Sequence, residues 1–126
     1  MNVVDSSCWI EYFLDTSIGD AVVPIVERPR TLLVPSIVLY EVCKYLLLHT
    51  DGEYVIEFVQ MMQKGQVIPL GASLSIFAAD ISRKYQLSMA DSIIYATAMR
   101  YNAVLWTADQ HFDGLPNVQH FDKTQP

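Results

Sequence analysis

Four carboxylates stand out by where they fall along the chain: Asp5, Glu41, Asp91 and Asp109. Asp5 directly follows the apolar run Val3-Val4, and Asp109 lies three residues past Trp106, which closes the run Val104-Leu105-Trp106. Glu41 sits in a helical stretch among Ile37, Val38, Val42 and Tyr45, and Asp91 comes three residues after Ser88, at the positive end of a helix. Each has a plain structural explanation. Asp5 and Asp109 could cap the helix starts that follow them, Glu41 could pair with Lys44 one turn on, and Ser88-Met89-Ala90-Asp91 nearly fits a capping box. These explanations treat the residues singly. They do not account for four acids at strand ends and first helical turns, where they could converge. Converging carboxylates repel one another unless cations lie between them. Oxygen-only ligation suits Mg²⁺ or Mn²⁺ rather than zinc. Such a site commonly serves phosphate chemistry, the metal activating a water and stabilising the leaving oxygen of an in-line displacement.

The elements that must position these acids alternate along the chain. Met1-Asn2-Val3-Val4 reads as a first strand, Ser6 or Ser7 starts a short helix through Trp9, Tyr12 and Phe13, and a second helical stretch runs around Asp20 to Glu27. Thr31-Leu32-Leu33-Val34 is a second strand closed by Pro35, with Ser36 as N-cap of a helix from Ile37 to Leu48. Beyond the Asp51-Gly52 turn, Val55, Phe58, Val59 and Met62 form one apolar helical face that Gly65 ends. Val67-Ile68 is a third, short strand, and Ser73 or Ser75 opens a helix through Phe77, Ala78 and Ile81 to Tyr85. Ser88 caps the next helix, which turns Ile93, Ile94, Thr97, Ala98 and Tyr101 inward and ends at Asn102. Val104-Leu105-Trp106 is a fourth strand, and Val118-Gln119-His120-Phe121 is the candidate for a fifth. Short strands alternating with helices imply a parallel sheet of four or five strands covered on both faces, an α/β fold. In such open sheets ligands bind at the carboxyl ends of the strands, where Asp5 and Asp109 are expected to stand.

Length and charge narrow the function classes. The 126 residues suit a single domain spanning 1–126. A net charge of −6 argues against a polybasic membrane patch. No apolar run approaches the roughly 20 residues that span a bilayer, and the first basic side chain is Arg28, so no basic signal-peptide start is present. Cys8 and Cys43 sit in apolar stretches without neighbouring Cys or His, as small reduced core residues of a cytoplasmic protein would.

The runs Val4-Asp5-Ser6-Ser7-Cys8-Trp9-Ile10, Pro35-Ser36-Ile37-Val38-Leu39-Tyr40-Glu41-Val42, Leu87-Ser88-Met89-Ala90-Asp91-Ser92-Ile93-Ile94-Tyr95-Ala96 and Leu105-Trp106-Thr107-Ala108-Asp109-Gln110-His111-Phe112-Asp113-Gly114-Leu115 resemble the PIN domain, and within it the VapC-type toxins of prokaryotic toxin–antitoxin pairs. The resemblance covers nearly the whole chain. It implies a three-layer α/β/α fold and a Mg²⁺- or Mn²⁺-dependent endoribonuclease that cleaves RNA. It also implies a homodimer inhibited by a cognate antitoxin. By resemblance Asp5, Glu41, Asp91 and Asp109 match the metal-binding, catalytic acids, with Ser7 and Thr107 as supporting hydroxyls. Family members vary at position 111, where an acid is also found and this chain has His; His111 is read here as a rim or helix-side histidine.

Two other classes compete. A phosphoacceptor signalling domain shares the small acidic α/β format. It would want paired acids after the first strand, where Ser6-Ser7 follow Asp5, and an Asp ending the central strand, where Val67-Ile68 runs into Pro69-Leu70. A non-catalytic α/β binding module would not need all four acids.

Overall fold

The computed structural model describes residues 1–123; the last three residues of the expected 1–126 domain lie outside the described residues. Among the described residues five strands, β1 (Asn2–Val4), β2 (Leu32–Pro35), β3 (Gln66–Ile68), β4 (Val104–Thr107) and β5 (Val118–His120), form one parallel sheet in the order β3-β2-β1-β4-β5. Val3 lies opposite Leu33 on one side and Leu105 on the other. The helices are α1 (Ser6–Phe13), α2 (Ser17–Val26), α3 (Ser36–His49), α4 (Val55–Met62), α5 (Ala72–Tyr85) and α6 (Met89–Arg100), with single 3₁₀ turns at Pro29–Thr31 and Gln110–Phe112.

Steps from β1 to β2 to β3 all run the same way across the sheet. Right-handed crossovers therefore put α1 to α4 on one face, and the return from β3 to β4 puts α5 and α6 on the other. The result is the expected three-layer α/β/α sandwich. α6 lies against β1, β2 and β4, and α5 packs on α6. Val3, Val4, Leu33, Val34 and Leu105 are fully buried between the layers with Trp9, Leu46, Ile94, Tyr95 and Phe112. Burial on both faces explains why these strands read as continuous apolar runs rather than as alternating ones.

The structure corrects several local expectations. β2 runs straight into α3, so Pro35 (φ −58°, ψ 137°) is the N-cap and Ser36 is already helical, without a capping bond. Gly71 holds the same position before α5; Ser73 lies inside the first turn, and the Ser75 hydroxyl donates back to the Gly71 carbonyl at 2.7 Å. Thr31 belongs to the 3₁₀ turn rather than to β2, and Phe121 falls just beyond β5. α2 starts earlier than expected, because Thr16 Oγ1 accepts from the Gly19 N–H at 3.1 Å. The third strand lies at an edge, and β1 holds the centre. No helix among the described residues is long and apolar enough to cross a membrane.

Candidate metal centre

The order of the sheet reverses at β1. The chain leaves it toward β2 and β3, then returns to place β4 on its other side. At such a switch point the carboxyl ends of the two strands open a crevice. Asp5 stands in it, one residue past β1 and only 3% exposed. Its Oδ1 accepts from the Ser6 N–H at 2.8 Å and so caps α1. Its Oδ2 accepts from the Ser7 and Thr107 hydroxyls, both at 2.8 Å. Those hydroxyls also accept hydrogen bonds from the segment that follows β4: Ser7 Oγ accepts from the Ala108 N–H at 3.1 Å and Thr107 Oγ1 from the Asp109 N–H at 2.9 Å. With backbone donors filling them from one side, both hydroxyls are left to point their own hydrogens at Asp5.

The other acids reach the same crevice from separate elements. Glu41, in the second turn of α3, accepts at Oε1 from the Ser6 hydroxyl at 3.0 Å. Asp91 lies in the first turn of α6, where its N–H donates to Ser88 Oγ at 3.4 Å. Asp109 caps the 3₁₀ turn after β4 by accepting the His111 N–H at 2.9 Å. His111 Nδ1 lies 3.3 Å from Asp91 Oδ2 and 3.2 Å from Asp109 Oδ1. One ligand atom from each of Asp91, Asp109 and His111 falls within 4.8 Å of the others.

Electrostatics bind the four acids into one unit. Burial raises the Asp5 carboxyl above its ordinary pKa, the Ser7 and Thr107 hydroxyls oppose this, and the charges of Asp91 and Asp109 raise it further. Glu41 is raised by burial and then by Asp5, Asp91 and Asp109, against the pull of Ser6. Asp91 is raised by burial and by Asp109, and eased by His111 and Ser88. Oxygen donors crowded until they resist ionisation form a field that a divalent cation would neutralise, so the residues fit a hard metal ion.

The family model of the PIN domain matches residues 3–118. The chain belongs to the PIN-domain family. Nuclease chemistry is general for that family. No curated protein matches the chain. Among solved structures, a toxin–antitoxin complex from Klebsiella pneumoniae superposes with a TM-score of 0.80 at 19% identity, covering 94% of this chain and 96% of that one. VapBC2 from Rickettsia felis, bound to a DNA fragment from its promoter, gives 0.74 at 16% identity, covering 96% and 98%. VapC20 of Mycobacterium tuberculosis, described as a Sarcin-Ricin loop cleaving toxin, gives 0.69 at 13% identity, covering 97% and 90%. At such identities the likeness is one of fold.

Two side chains of this PIN domain enter the site without having been expected there. Ser6 joins Asp5 to Glu41, donating its N–H to the first and its hydroxyl to the second. His111, read from sequence as a rim histidine, does keep 75% of its side chain exposed, yet it turns Nδ1 between Asp91 and Asp109. The available signal was its spacing: the residue two after a capping Asp has its N–H drawn to that carboxylate, which keeps its backbone beside the acid. Trp9 and Phe112 are fully buried, as expected of core aromatics. Of the basic residues, Lys44 borders a hollow of about 310 Å³ that Ser6 and Glu41 also line. Arg83 is engaged by Asp80 at 2.7 Å, and Arg100 donates to Ser73 at 3.0 Å.

Proposed function

We propose that this PIN domain is a divalent-metal-dependent endoribonuclease, the toxin of a toxin–antitoxin pair, with residues 1–126 acting as one domain in a cytoplasmic homodimer. The reading is carried by the meeting of Asp5, Glu41, Asp91 and Asp109 in one crevice, where burial and neighbouring charge raise the carboxyls of Asp5, Glu41 and Asp91. A divalent cation among them would offset that burial and repulsion. Mg²⁺ or Mn²⁺ held by these four carboxylates would supply, when bound, an activated water and a stabilised leaving oxygen. The chain's own residues supply the positioning. Ser7 and Thr107 fix Asp5 Oδ2, the Asp109 N–H is held by the same Thr107 hydroxyl, and Ser6 restrains Glu41. RNA as substrate is supported by the neighbour that is described as cleaving the Sarcin-Ricin loop, and an antitoxin partner by neighbours solved as toxin–antitoxin complexes.

The test is cleavage of end-labelled RNA by the purified protein in Mg²⁺, in Mn²⁺ and in EDTA, beside Asp109→Asn. Cleavage that leaves 5′-phosphate and 3′-hydroxyl ends, and that EDTA and the substitution both abolish, is expected. Undiminished cleavage in EDTA, or products ending in 2′,3′-cyclic phosphate, would overturn the reading.

A further inference from the structure

On the reading that the crevice holds a divalent cation, we infer that His111 is a ligand of that ion through Nδ1, and that it shifts the site's preference from Mg²⁺ toward Mn²⁺. His111 Nδ1 stands 3.3 Å from Asp91 Oδ2 and 3.2 Å from Asp109 Oδ1. The three atoms fall within a 4.8 Å span, small enough for one ion to touch all of them. The placement is built rather than incidental. The Asp109 carboxylate takes the His111 N–H at 2.9 Å, so the turn that presents the carboxylate presents the imidazole on the same side. The next residue, Phe112, is fully buried with its ring 6.3 Å from that of Tyr95, and the Tyr95 hydroxyl donates to the Pro116 carbonyl at 2.7 Å. Both contacts anchor the backbone of the turn on the core.

The chemistry of the donors sets the direction of the preference. Mg²⁺ demands oxygen ligands in near-ideal octahedral geometry and gives up its waters reluctantly. An imidazole nitrogen is a borderline donor that favours transition ions. Added to a carboxylate set, it moves preference toward Mn²⁺, the transition ion that also accepts hard oxygens. Facing two carboxylate oxygens, Nδ1 stands as a donor to them; as a ligand the ring would carry its proton on Nε2 and offer the Nδ1 lone pair to the metal. A carboxylate at the same place would give an all-oxygen site without this preference.

Electron spin-echo spectroscopy of the full-length protein loaded with MnCl₂ reads directly whether a nitrogen is bound to the ion. Calorimetric titration with MnCl₂ and MgCl₂ gives the two affinities. Wild type should show ¹⁴N coupling from one imidazole, and His111→Asn should lose it, which excludes His49 and His120 as its source. In His111→Asp the preference for Mn²⁺ over Mg²⁺ should fall by about tenfold or more, since even an outer-shell change costs metal sites that much. If Mn²⁺ binds wild type and Asp109→Asn abolishes binding, yet no nitrogen coupling is seen, the assignment of His111 is overturned and the nuclease reading stands. An unchanged preference in His111→Asp has the same meaning. If wild type binds neither ion, both readings fall.

Discussion

Asp5 keeps a nearly inaccessible carboxylate in place with three donors, the Ser6 N–H and the Ser7 and Thr107 hydroxyls. Thr107→Val preserves the branched shape but removes one donor from Asp5 and the acceptor of the Asp109 N–H. Leaving such buried groups unpaired costs about 1–3 kcal/mol, so chemical denaturation should show a loss of that order together with reduced nuclease activity. A variant as stable as wild type would mean that solvent reaches Oδ2. Charge at the site gives a second prediction, with a definite sign. Burial, followed by neighbouring charge, raises the carboxyls of Asp5, Glu41 and Asp91 above their ordinary values of 3.8 and 4.5. Below those values the protonated folded state has its full stability. As pH climbs, the unfolded chain releases its protons first, and stability is lost until the folded groups ionise as well. In EDTA, Glu41→Gln or Asp91→Asn should therefore match or exceed wild type in Tm, by a margin that widens as pH rises above about 4. Activity should be lost in each. Saturating Mg²⁺ should close the margin by stabilising wild type alone, and a margin indifferent to both pH and metal would count against the cluster. At this scale the positions of the acids are legible in the sequence, because Asp5 and Asp109 come just after strands, Asp91 lies in the first turn of a helix and Glu41 is a charge set in an apolar helical stretch. The roles of Ser6 and His111 are not, because they depend on contacts between residues far apart in the chain, such as the one from Ser6 to Glu41.

Helices meet where side chains let them, and α1 and α2 meet over a glycine. A Cβ at Gly19 would lie 2.3 Å from the Glu11 carbonyl oxygen and 2.9 Å from the Tyr12 Cα, both backbone atoms that cannot yield without moving α1. Gly19→Ala should destabilise by about 1–3 kcal/mol, as overpacking does, and because α1 carries Ser6 and Ser7, activity should fall with it. Gly71 gives the opposite sign. It caps α5 with extended backbone (φ −94°, ψ −176°) and no side-chain bond, and a Cβ there meets nothing within 4 Å. Gly71→Ser should supply the missing cap and restrict the unfolded chain, raising stability by about half a kcal/mol. Thermal melts of the two variants side by side check both signs. The same physics explains which helix starts can be read from sequence. Asp5 and Ser88 cap as their residue types suggest, because each stands in extended backbone just before its helix. Ser36 does not, because no loop separates β2 from α3 and the capping position falls on Pro35. Residue type names a capable cap, but the length of the preceding strand decides whether it stands in the right place.

Strand order belongs to the whole molecule, and no local pattern announces it. That β1 is central follows only once β4 returns to its far side, and it is this return that places Asp5 beside Thr107 and Asp109. The surface adds two expectations. Tyr40, Leu47 and Leu48 of α3 are 61%, 63% and 69% exposed, more apolar surface than a lone helix usually leaves in water. In the proposed homodimer a second copy would cover part of such surface, so light scattering at micromolar concentration should give twice the chain mass; a monomeric mass would count against the dimer. RNA must approach a molecule of net charge −6 through an acidic crevice. Lys44 is the cation that shares a hollow with Glu41. Arg83 is already engaged by Asp80. Arg100 ends the helix that Asp91 begins, about 14 Å away along its axis. Few phosphates can then be neutralised by side chains. With about three contacts, each contributing about 0.7 for a single strand, the logarithm of affinity should fall with that of salt at a slope of about −2. The remaining attraction has to come from the metal, because the bare carboxylates repel a phosphate backbone. Binding of a non-cleaved RNA by wild type, measured across a salt series with and without Mg²⁺, should therefore be shallow in slope and strong only with the ion. Asp109→Asn should lose most of that metal dependence while keeping the slope. A steep slope indifferent to Mg²⁺ would place the RNA on a basic surface elsewhere and separate the binding site from these acids.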